Sequence, residues 1–139
     1  MSESESLVVV LVTGSRNWSD RETIEHQLNS VAETEVLLVQ GGCKGADTLA
    51  AAVAREKGWA VHTEPAEWHT DKNGAYTSKM NYAAGPIRNR KMIVDFRPHY
   101  AFAFVMPGSK GTLGCIKLLK SHQQEPESRL RHIQVVVSP

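Results

Sequence analysis

Short apolar runs alternate with amphipathic segments along this chain of 139 residues. The first run, residues 7–13, is rich in valine and leucine and is typical of a strand that is covered on both faces. The other runs are similar, and the weakest of them is residues 59–64. The pattern predicts strands over residues 7–13, 36–39, 59–64, 100–105 and 132–137.

The segments between these runs predict helices. The first begins at Ser19, which forms a capping box with Glu22, and the second, rich in alanine, spans residues 46–57. Pro86 is predicted at the first position of a third helix, and a fourth follows the glycine turn at residues 108–112. Strands that alternate with helices require right-handed crossovers. The fold class is therefore α/β, with a doubly wound, mainly parallel sheet of about five strands flanked by helices.

Two polar segments lie outside this alternation. Residues 1–6 have no periodicity and are expected to form a disordered tail, which leaves residues 7–139 as a single domain. Residues 65–85 form a polar segment that is longer than an ordinary loop in a compact domain. We interpret residues 65–85 as a functional lid or a partly helical insertion.

Composition and charge exclude several classes of protein. The net charge is +1, from 16 basic and 15 acidic residues. The chain therefore has no strong electrostatic field to attract a nucleic acid or an anionic membrane. The apolar run at residues 7–12 is too short to cross a bilayer, and a cytoplasmic protein is expected. The two cysteines and six histidines form no metal-binding pattern, so neither a metal nor a bound cofactor is expected.

Three glycine-rich turns follow predicted strands and therefore meet at one edge of the sheet. They are residues 14–16, 41–45 and 108–112, and a fourth helix start at residues 85–86 can join them. In open parallel sheets ligands bind at this edge, and the free N–H groups of a helix start suit a phosphate. The polar and cationic side chains at these turns are Ser15, Arg16, Lys44, Arg88, Asn89, Ser109, Lys110 and Thr112.

Each of these features also has a simpler structural explanation. Glycines follow strands in many α/β proteins, but three such turns at the same edge of the sheet favour a crevice for a phosphate-bearing nucleotide. Trp18 is expected to pack at a helix start rather than to stack on a base. Trp68 and His69 suit either packing of the lid or contact with the ligand. No GxGxxG, GxxxxGK[ST], GxSxG or HExxH motif occurs in the sequence, so the usual dehydrogenase, triphosphatase and hydrolase signatures are absent.

Four motifs in order carry a family resemblance, and they span most of the chain. They are VTGSR at residues 12–16, GGCKGAD at residues 41–47, AGPIRNRKM at residues 84–92 and PGSKGT at residues 107–112. The chain resembles the SLOG superfamily, in particular the branch related to YspA and cpYpsA. The resemblance implies a Rossmann-like fold, distantly related to the Lonely Guy phosphoribohydrolases and to Smf/DprA, and a homodimer.

The resemblance also implies a ligand and a set of ligand-binding residues. The ligand is a nucleotide or a nucleotide derivative: NAD-derived, ADP-ribose-like or cyclic. Taken with the turns above, the ligand-binding residues are expected to be Gly14, Ser15, Arg16, Gly41, Gly42, Lys44, Gly45, Asp47, Arg88, Asn89, Gly108, Ser109, Lys110, Gly111 and Thr112.

One departure from the family pattern bears on catalysis. Lonely Guy enzymes carry a catalytic glutamate after the turn that corresponds to Gly111-Thr112, and this chain has no carboxylate there. Asp47, Glu64 or Glu67 is left to replace it, although Asp47 can equally cap its helix or orient its loop. The sequence therefore favours a module that senses or sequesters a nucleotide, in bacterial or phage conflict. The alternative is an N-glycosidase that acts on nucleoside 5′-monophosphates.

Overall fold

The five predicted strands form one parallel sheet in the computed structural model, which describes residues 7–138. Their order in the sheet is β3-β2-β1-β4-β5, and the doubly wound α/β fold is confirmed. The predicted tail at residues 1–6 lies outside the described part of the chain. The strands are β1 (Val8–Gly14), β2 (Val36–Gln40), β3 (Ala60–Thr63), β4 (Tyr100–Val105) and β5 (His132–Val137).

Helices connect these strands across both faces of the sheet. Within residues 7–138 they are α1 (Arg21–Leu28), α2 (Ala46–Glu56), α3 (Ala84–Phe96) and α4 (Lys110–Gln123). No helix in this part of the chain has both the length and the apolar character needed to cross a bilayer.

The side chains of β1 divide the core into two layers, because successive residues of a strand point to opposite faces. Val8, Val10 and Val12 pack with buried residues of α1 and α2 on one face of the sheet. Val9 and Leu11 pack with buried residues of α3 and α4 on the other face. The continuous apolar run at the start of the chain is thus explained by burial on both sides.

The predicted capping box at the start of α1 is wrong. The N-cap is Asp20, whose side chain accepts a hydrogen bond from the Thr23 N–H at 3.1 Å, and Ser19 lies outside the helix. Asp and Ser are comparable N-cap residues, so the sequence pattern did not decide between two adjacent candidates. The helix begins at Arg21 because Asp20 places its carboxylate over the first turn.

The start of α3 also differs from the prediction. The helix begins at Ala84, so Pro86 occupies its third position rather than its first. Proline is tolerated there because the first four N–H groups of a helix have no partner within the helix. The segment before it is largely irregular, with an isolated antiparallel bridge between Thr70 and Tyr76. Its predicted role as a lid stays a prediction.

The chain reverses direction across the sheet between β1 and β4. It runs outward from β1 to β2 and β3, and then returns through α3 to β4 on the opposite side of β1. At the carboxyl end of these two strands, the Ser15 N–H donates to the Phe104 carbonyl oxygen at 2.9 Å. The ends of β1 and β4 are therefore held together, and the crevice described below opens at this switch point.

Candidate functional site

A cavity of about 620 Å³ opens at the carboxyl edge of the sheet, beside β1 and β4. The β1–α1 turn, the start of α2, the start of α3 and the β4–α4 turn form its walls. Of the fifteen predicted ligand-binding residues, eleven line this cavity: Gly14, Ser15, Arg16, Asp47, Arg88, Asn89, Gly108, Ser109, Lys110, Gly111 and Thr112. The four segments that are far apart in sequence thus converge on one space.

A smaller hollow of about 390 Å³ adjoins this cavity. Three more predicted residues, Gly41, Gly42 and Lys44, line the smaller hollow. Arg16, Cys43 and Trp68 belong to the walls of both spaces. The predicted residues therefore divide between two adjoining compartments, which we call the large and the small hollow.

Gly45 lines neither hollow, unlike the other predicted residues. Its φ of +88° lies in the left-handed region, and a Cβ at this position would overlap the backbone carbonyl oxygens of Ser15 and Arg16. The next residue, Ala46, donates its N–H to the Ser15 carbonyl oxygen at 3.1 Å. Gly45 therefore allows the start of α2 to touch the β1–α1 turn, and its visible contribution is to packing.

The start of α4 presents free hydrogen-bond donors to the large hollow. Among residues 7–138, the N–H groups of Gly111 and Thr112 have no acceptor. Lys110 is exposed beside them and pairs with no carboxylate in the described chain. The hydroxyl of Ser109 accepts from the Met106 N–H at 3.3 Å, which holds the turn in shape. Free amides, the positive end of a helix dipole and a cation together suit an anion.

Asp47 lies in the wall of the large hollow and is 5% exposed. It does not cap α2; one of its oxygens accepts the Cys43 N–H at 3.2 Å, so it orients the β2–α2 loop. Burial raises the pKa of Asp47 to about 6, although the positive charges of Arg88 and Arg16 act in the opposite direction. Among the described residues, it is the one carboxylate that lines the large hollow. Asp47 can therefore hold a proton near neutral pH.

Arg88 connects α3 to the β2–α2 loop. Its Nη1 donates to the carbonyl oxygens of Gly41 at 2.9 Å and of Glu64 at 3.5 Å, and its Nε donates to Asn89 at 2.8 Å. Gly41 is needed here because a Cβ would overlap the guanidinium. Nη2 has no acceptor among residues 7–138. Arg88 is thus partly structural, and one of its nitrogens is left to contact a ligand.

Two aromatic residues considered in the sequence have different environments. Trp18 is buried, its ring lies 5.3 Å from that of Phe104, and it lines neither hollow, so the packing interpretation is confirmed. Trp68 lies between the two hollows, where its ring faces the Arg16 guanidinium at 5.4 Å and packs against Gly85. Contact between Trp68 and a ligand stays a prediction.

Glu64 and Glu67, the alternative catalytic acids, are not among the residues that line either hollow. Glu64 forms ion pairs with His62 at 3.1 Å and with Lys91 at 3.3 Å. These hydrogen bonds lower the pKa of Glu64, which does not suit a proton donor. Lys91 is half exposed and pairs with this carboxylate.

The sequence did not indicate several residues that line the large hollow. They are Val12, Thr13, Asn17, Cys43, Tyr82, Met92 and Pro107. Asn17 and Cys43 could have been found from their places within or beside the glycine turns. Tyr82 lies in the irregular segment, and Met92 lies inside α3, so neither carries a local signal. Within residues 7–138, no group of three or more His, Cys, Asp or Glu is placed to hold a metal ion.

Comparison with known proteins identifies the family of this chain. The model of the YspA, cpYpsA-related SLOG family matches residues 8–70, which include the β1–α1 and β2–α2 turns. The Gene 61 protein of Mycobacterium phage D29 is 33% identical over 118 residues, which cover 78% of this chain and 85% of that protein. The chain belongs to this SLOG family. The predicted membership of the SLOG branch related to YspA and cpYpsA is therefore confirmed.

A solved structure has a similar fold over most of the chain. DNA processing protein A (DprA) from Streptococcus pneumoniae superposes with a TM-score of 0.53 at 18% sequence identity. The match covers 95% of this chain and 59% of the DprA chain. The similarity shows that the two proteins share a fold, as the predicted distant relation to Smf/DprA requires.

Proposed function

We propose that this SLOG protein is a cytoplasmic module that binds a nucleotide or a nucleotide derivative in the large hollow without transforming it. The observation that carries the proposal is the convergence of hydrogen-bond donors from separate segments on one space. Gly111 and Thr112 offer free amides, Arg88 offers Nη2, and Lys110 and Arg16 offer cations without a carboxylate partner in the described chain. This donor set suits a phosphate group.

The size and lining of the large hollow support a nucleotide rather than a bare phosphate. Its volume of about 620 Å³ is within the usual range for small-molecule sites. Trp68, Tyr82 and Met92 give it an apolar wall on which a base can lie. Each charge-assisted hydrogen bond to the phosphate contributes about 1.5–3 kcal/mol. Three such bonds and the apolar contacts of the base together oppose the cost of association. We expect micromolar affinity, which is about −8 kcal/mol.

Gly111→Ala is expected to weaken phosphate binding without harm to the fold. A Cβ at Gly111 meets no atom within 4 Å, and alanine favours a helix over glycine by about 1 kcal/mol. The added methyl group stands at a residue that lines the large hollow, where it hinders the approach of a phosphate to the free amides. We expect an affinity at least about tenfold lower, which corresponds to about 1.4 kcal/mol. Calorimetric titration with AMP, NAD, ADP-ribose and a cyclic dinucleotide measures it.

Gly114→Ala is the matched control for Gly111→Ala. Gly114 lies in the same helix, a Cβ there also meets no atom within 4 Å, and the residue lines neither hollow. Both variants should unfold at or above the temperature of the original chain, and Gly114→Ala should bind as the original chain does. If none of the nucleotides binds at millimolar concentration, or if both variants bind equally well, the proposed site is wrong.

A second function, hydrolysis of the N-glycosidic bond of a nucleoside 5′-monophosphate, is favoured by the environment of Asp47. A buried carboxyl group whose pKa is about 6 can protonate a leaving base near neutral pH. Water then bonds to C1′ as the C1′–N bond breaks, and the proton that this water loses returns to the Asp47 carboxylate. The products are the free base and ribose 5-phosphate. Against this proposal stands the lack of a second carboxylate in the large hollow among the described residues.

Chromatography for released base separates binding from hydrolysis. If the protein is a hydrolase, Asp47→Ala is expected to reduce base release by at least about 100-fold, the usual contribution of a general acid. Glu64→Gln should retain activity because Glu64 lines neither hollow. Base release that survives Asp47→Ala would contradict the role of Asp47. If no nucleotide releases its base, hydrolysis is excluded and binding is the proposed function that remains.

The proposed function extends to the oligomeric state, the type of partner and the biological role. We propose a homodimer, as the family resemblance implies. We also propose that it binds a small molecule rather than nucleic acid, since the net charge is +1. The relative from a mycobacteriophage supports a role in bacterial or phage conflict. Tight, strongly salt-dependent binding of an oligonucleotide would contradict the small-molecule part of this proposal.

A further inference from the structure

The strand β5 has a neighbour on one side only, and we infer that its outer edge is the surface through which two copies of this protein pair. This inference rests on the proposed homodimer and supplies its interface. No residue of β5 lines either hollow, so nucleotide binding is tested separately from this pairing.

The two edge strands of the sheet are protected to different degrees. Proteins guard an open edge by a short strand, charged side chains, proline or a bulge. The strand β3 has four residues, and Glu64 beyond its end pairs with His62 of the strand and with Lys91. The strand β5 has six residues, none of them proline, lysine, arginine, aspartate or glutamate. It pairs one to one with β4 and so has no bulge. The edge of β5 is therefore open to pairing with another strand.

The apolar side chains of β5 are only partly covered. Strands of a parallel sheet are normally covered on both faces, but Val135 is 37% exposed and Val137 is 65% exposed. Ile133 lies on the same face and packs at the margin of the core layer of α3 and α4. Ile116 of α4 packs with Val105 of β4. The helix thus covers β4 and leaves the two valines of β5 in contact with water.

The free backbone groups of β5 belong to the same residues as these apolar side chains. The Ser138 N–H donates to the Val105 carbonyl oxygen at 2.9 Å, so the N–H of Val137, one residue earlier, points away from β4. The N–H and C=O groups of a strand residue point to the same side, and the side alternates along the strand. Ile133, Val135 and Val137 therefore present their backbone groups to the open edge.

This alternation determines how a second copy fits. A two-fold axis pairs a strand with itself in the antiparallel direction. An axis beside Val135 places Val135 opposite Val135 of the second copy and Ile133 opposite Val137, with about six backbone hydrogen bonds. Opposite side chains then lie on the same face and are all apolar, and no like charges meet. The edge is self-complementary, which favours a second copy over an unrelated peptide.

Val135→Lys is expected to weaken self-association by at least about tenfold. At this register the two lysines stand directly opposite each other, where like charges are destabilising. Lysine is also a natural means of guarding an edge strand. The backbone groups of Val135 point away from β4, so the sheet of one chain keeps its hydrogen bonds. Sedimentation equilibrium of the full-length chain and of the variant measures the dissociation constant of the dimer.

Val94→Lys is the matched control for Val135→Lys. Val94 is 55% exposed and lies in α3, so its substitution should leave the dissociation constant unchanged. Hydrogen exchange in the original chain gives a second measurement that needs no variant. The Val135 amide should exchange more slowly as the concentration of the chain rises.

The outcomes distinguish the interface from the dimer itself. A dimer that is equally stable in Val135→Lys, or a Val135 amide whose exchange does not depend on concentration in a chain that dimerises, would overturn the β5 interface while the homodimer stands. An original chain that is monomeric at every concentration would overturn both. Nucleotide binding in the large hollow is unaffected by either result.

Discussion

Gly45→Ala is expected to lower the free energy of unfolding by about 3 kcal/mol, from overpacking and backbone strain together. The residue has a φ of +88°, and a Cβ there would overlap the backbone carbonyl oxygens of Ser15 and Arg16. Backbone atoms cannot rotate away as a side chain can, so the start of α2 and the β1–α1 turn must separate. The hydrogen bond from the Ala46 N–H to the Ser15 carbonyl oxygen is then lost.

Gly58→Ala is the matched control for Gly45→Ala. Gly58 also has a left-handed φ, +79°, but a Cβ there meets no atom within 4 Å. Its substitution is expected to cost only the backbone strain, about 1–2 kcal/mol. Urea unfolding of the two variants beside the original chain measures the difference. Equal losses would mean that contact between the two loops contributes nothing to stability.

Asp47→Asn is expected to raise the free energy of unfolding by about 1–2 kcal/mol at pH 7.5. The pKa of Asp47 is about 6 in the folded chain, against 3.8 for an unperturbed group. At about 1.4 kcal/mol for each pH unit, ionisation of the buried group costs about 3 kcal/mol. The amide of asparagine avoids this cost and still accepts the Cys43 N–H, but it loses part of the hydrogen bonding of a carboxylate.

The sign of the pH dependence follows from the raised pKa. The protonated carboxyl group favours the folded state, so its contribution is complete below pH 3.8 and is lost as the pH rises through 6. The gain from Asp47→Asn should therefore grow between pH 4 and pH 6.5. Urea unfolding of both chains across this range tests it, and a gain independent of pH would contradict the raised pKa.

His99 also makes the stability of the folded chain depend on pH, so Asp47→Asn must be compared with the original chain at each pH. Burial lowers the pKa of His99 to about 4, and its Nδ1 accepts the Val9 N–H at 3.0 Å. Its contribution to stability has the opposite sign, since it is lost as the pH falls from 6.5 to 4. Because His99 is unchanged in Asp47→Asn, its contribution cancels in the comparison.

Apolar patterning was sufficient to predict the architecture of the sheet. The bounds of β4 and β5 agree with the sequence prediction at both ends, because segments rich in polar residues, proline or glycine flank both strands. Helix starts were less accurate. Ser19 and Asp20 are both acceptable caps, and Pro86 is tolerated anywhere in a first turn. In both places, the local sequence pattern allowed more than one helix start.

The candidate site was predictable where backbone position alone defines it. The glycine turns follow parallel strands, so their convergence on one edge follows from the topology. Side-chain direction was not predictable in the same way. Gly45 faces another loop rather than a hollow, and three hydrogen bonds of Arg88 are made within the protein. Apart from the bond between Arg88 and its neighbour Asn89, these contacts join residues that are 24 to 47 positions apart, and a local pattern does not contain them.

The arrangement of β1 and β4 has a consequence for dissection of the chain. The region matched by the family model, residues 8–70, supplies β1 to β3, whereas β4 covers the other edge of β1. A fragment that stops near residue 70 would expose Val9 and Leu11 to water and would lack Lys110, Gly111 and Thr112. Such a truncation should aggregate rather than retain partial affinity, because both halves of the molecule must be present for either to be a stable unit.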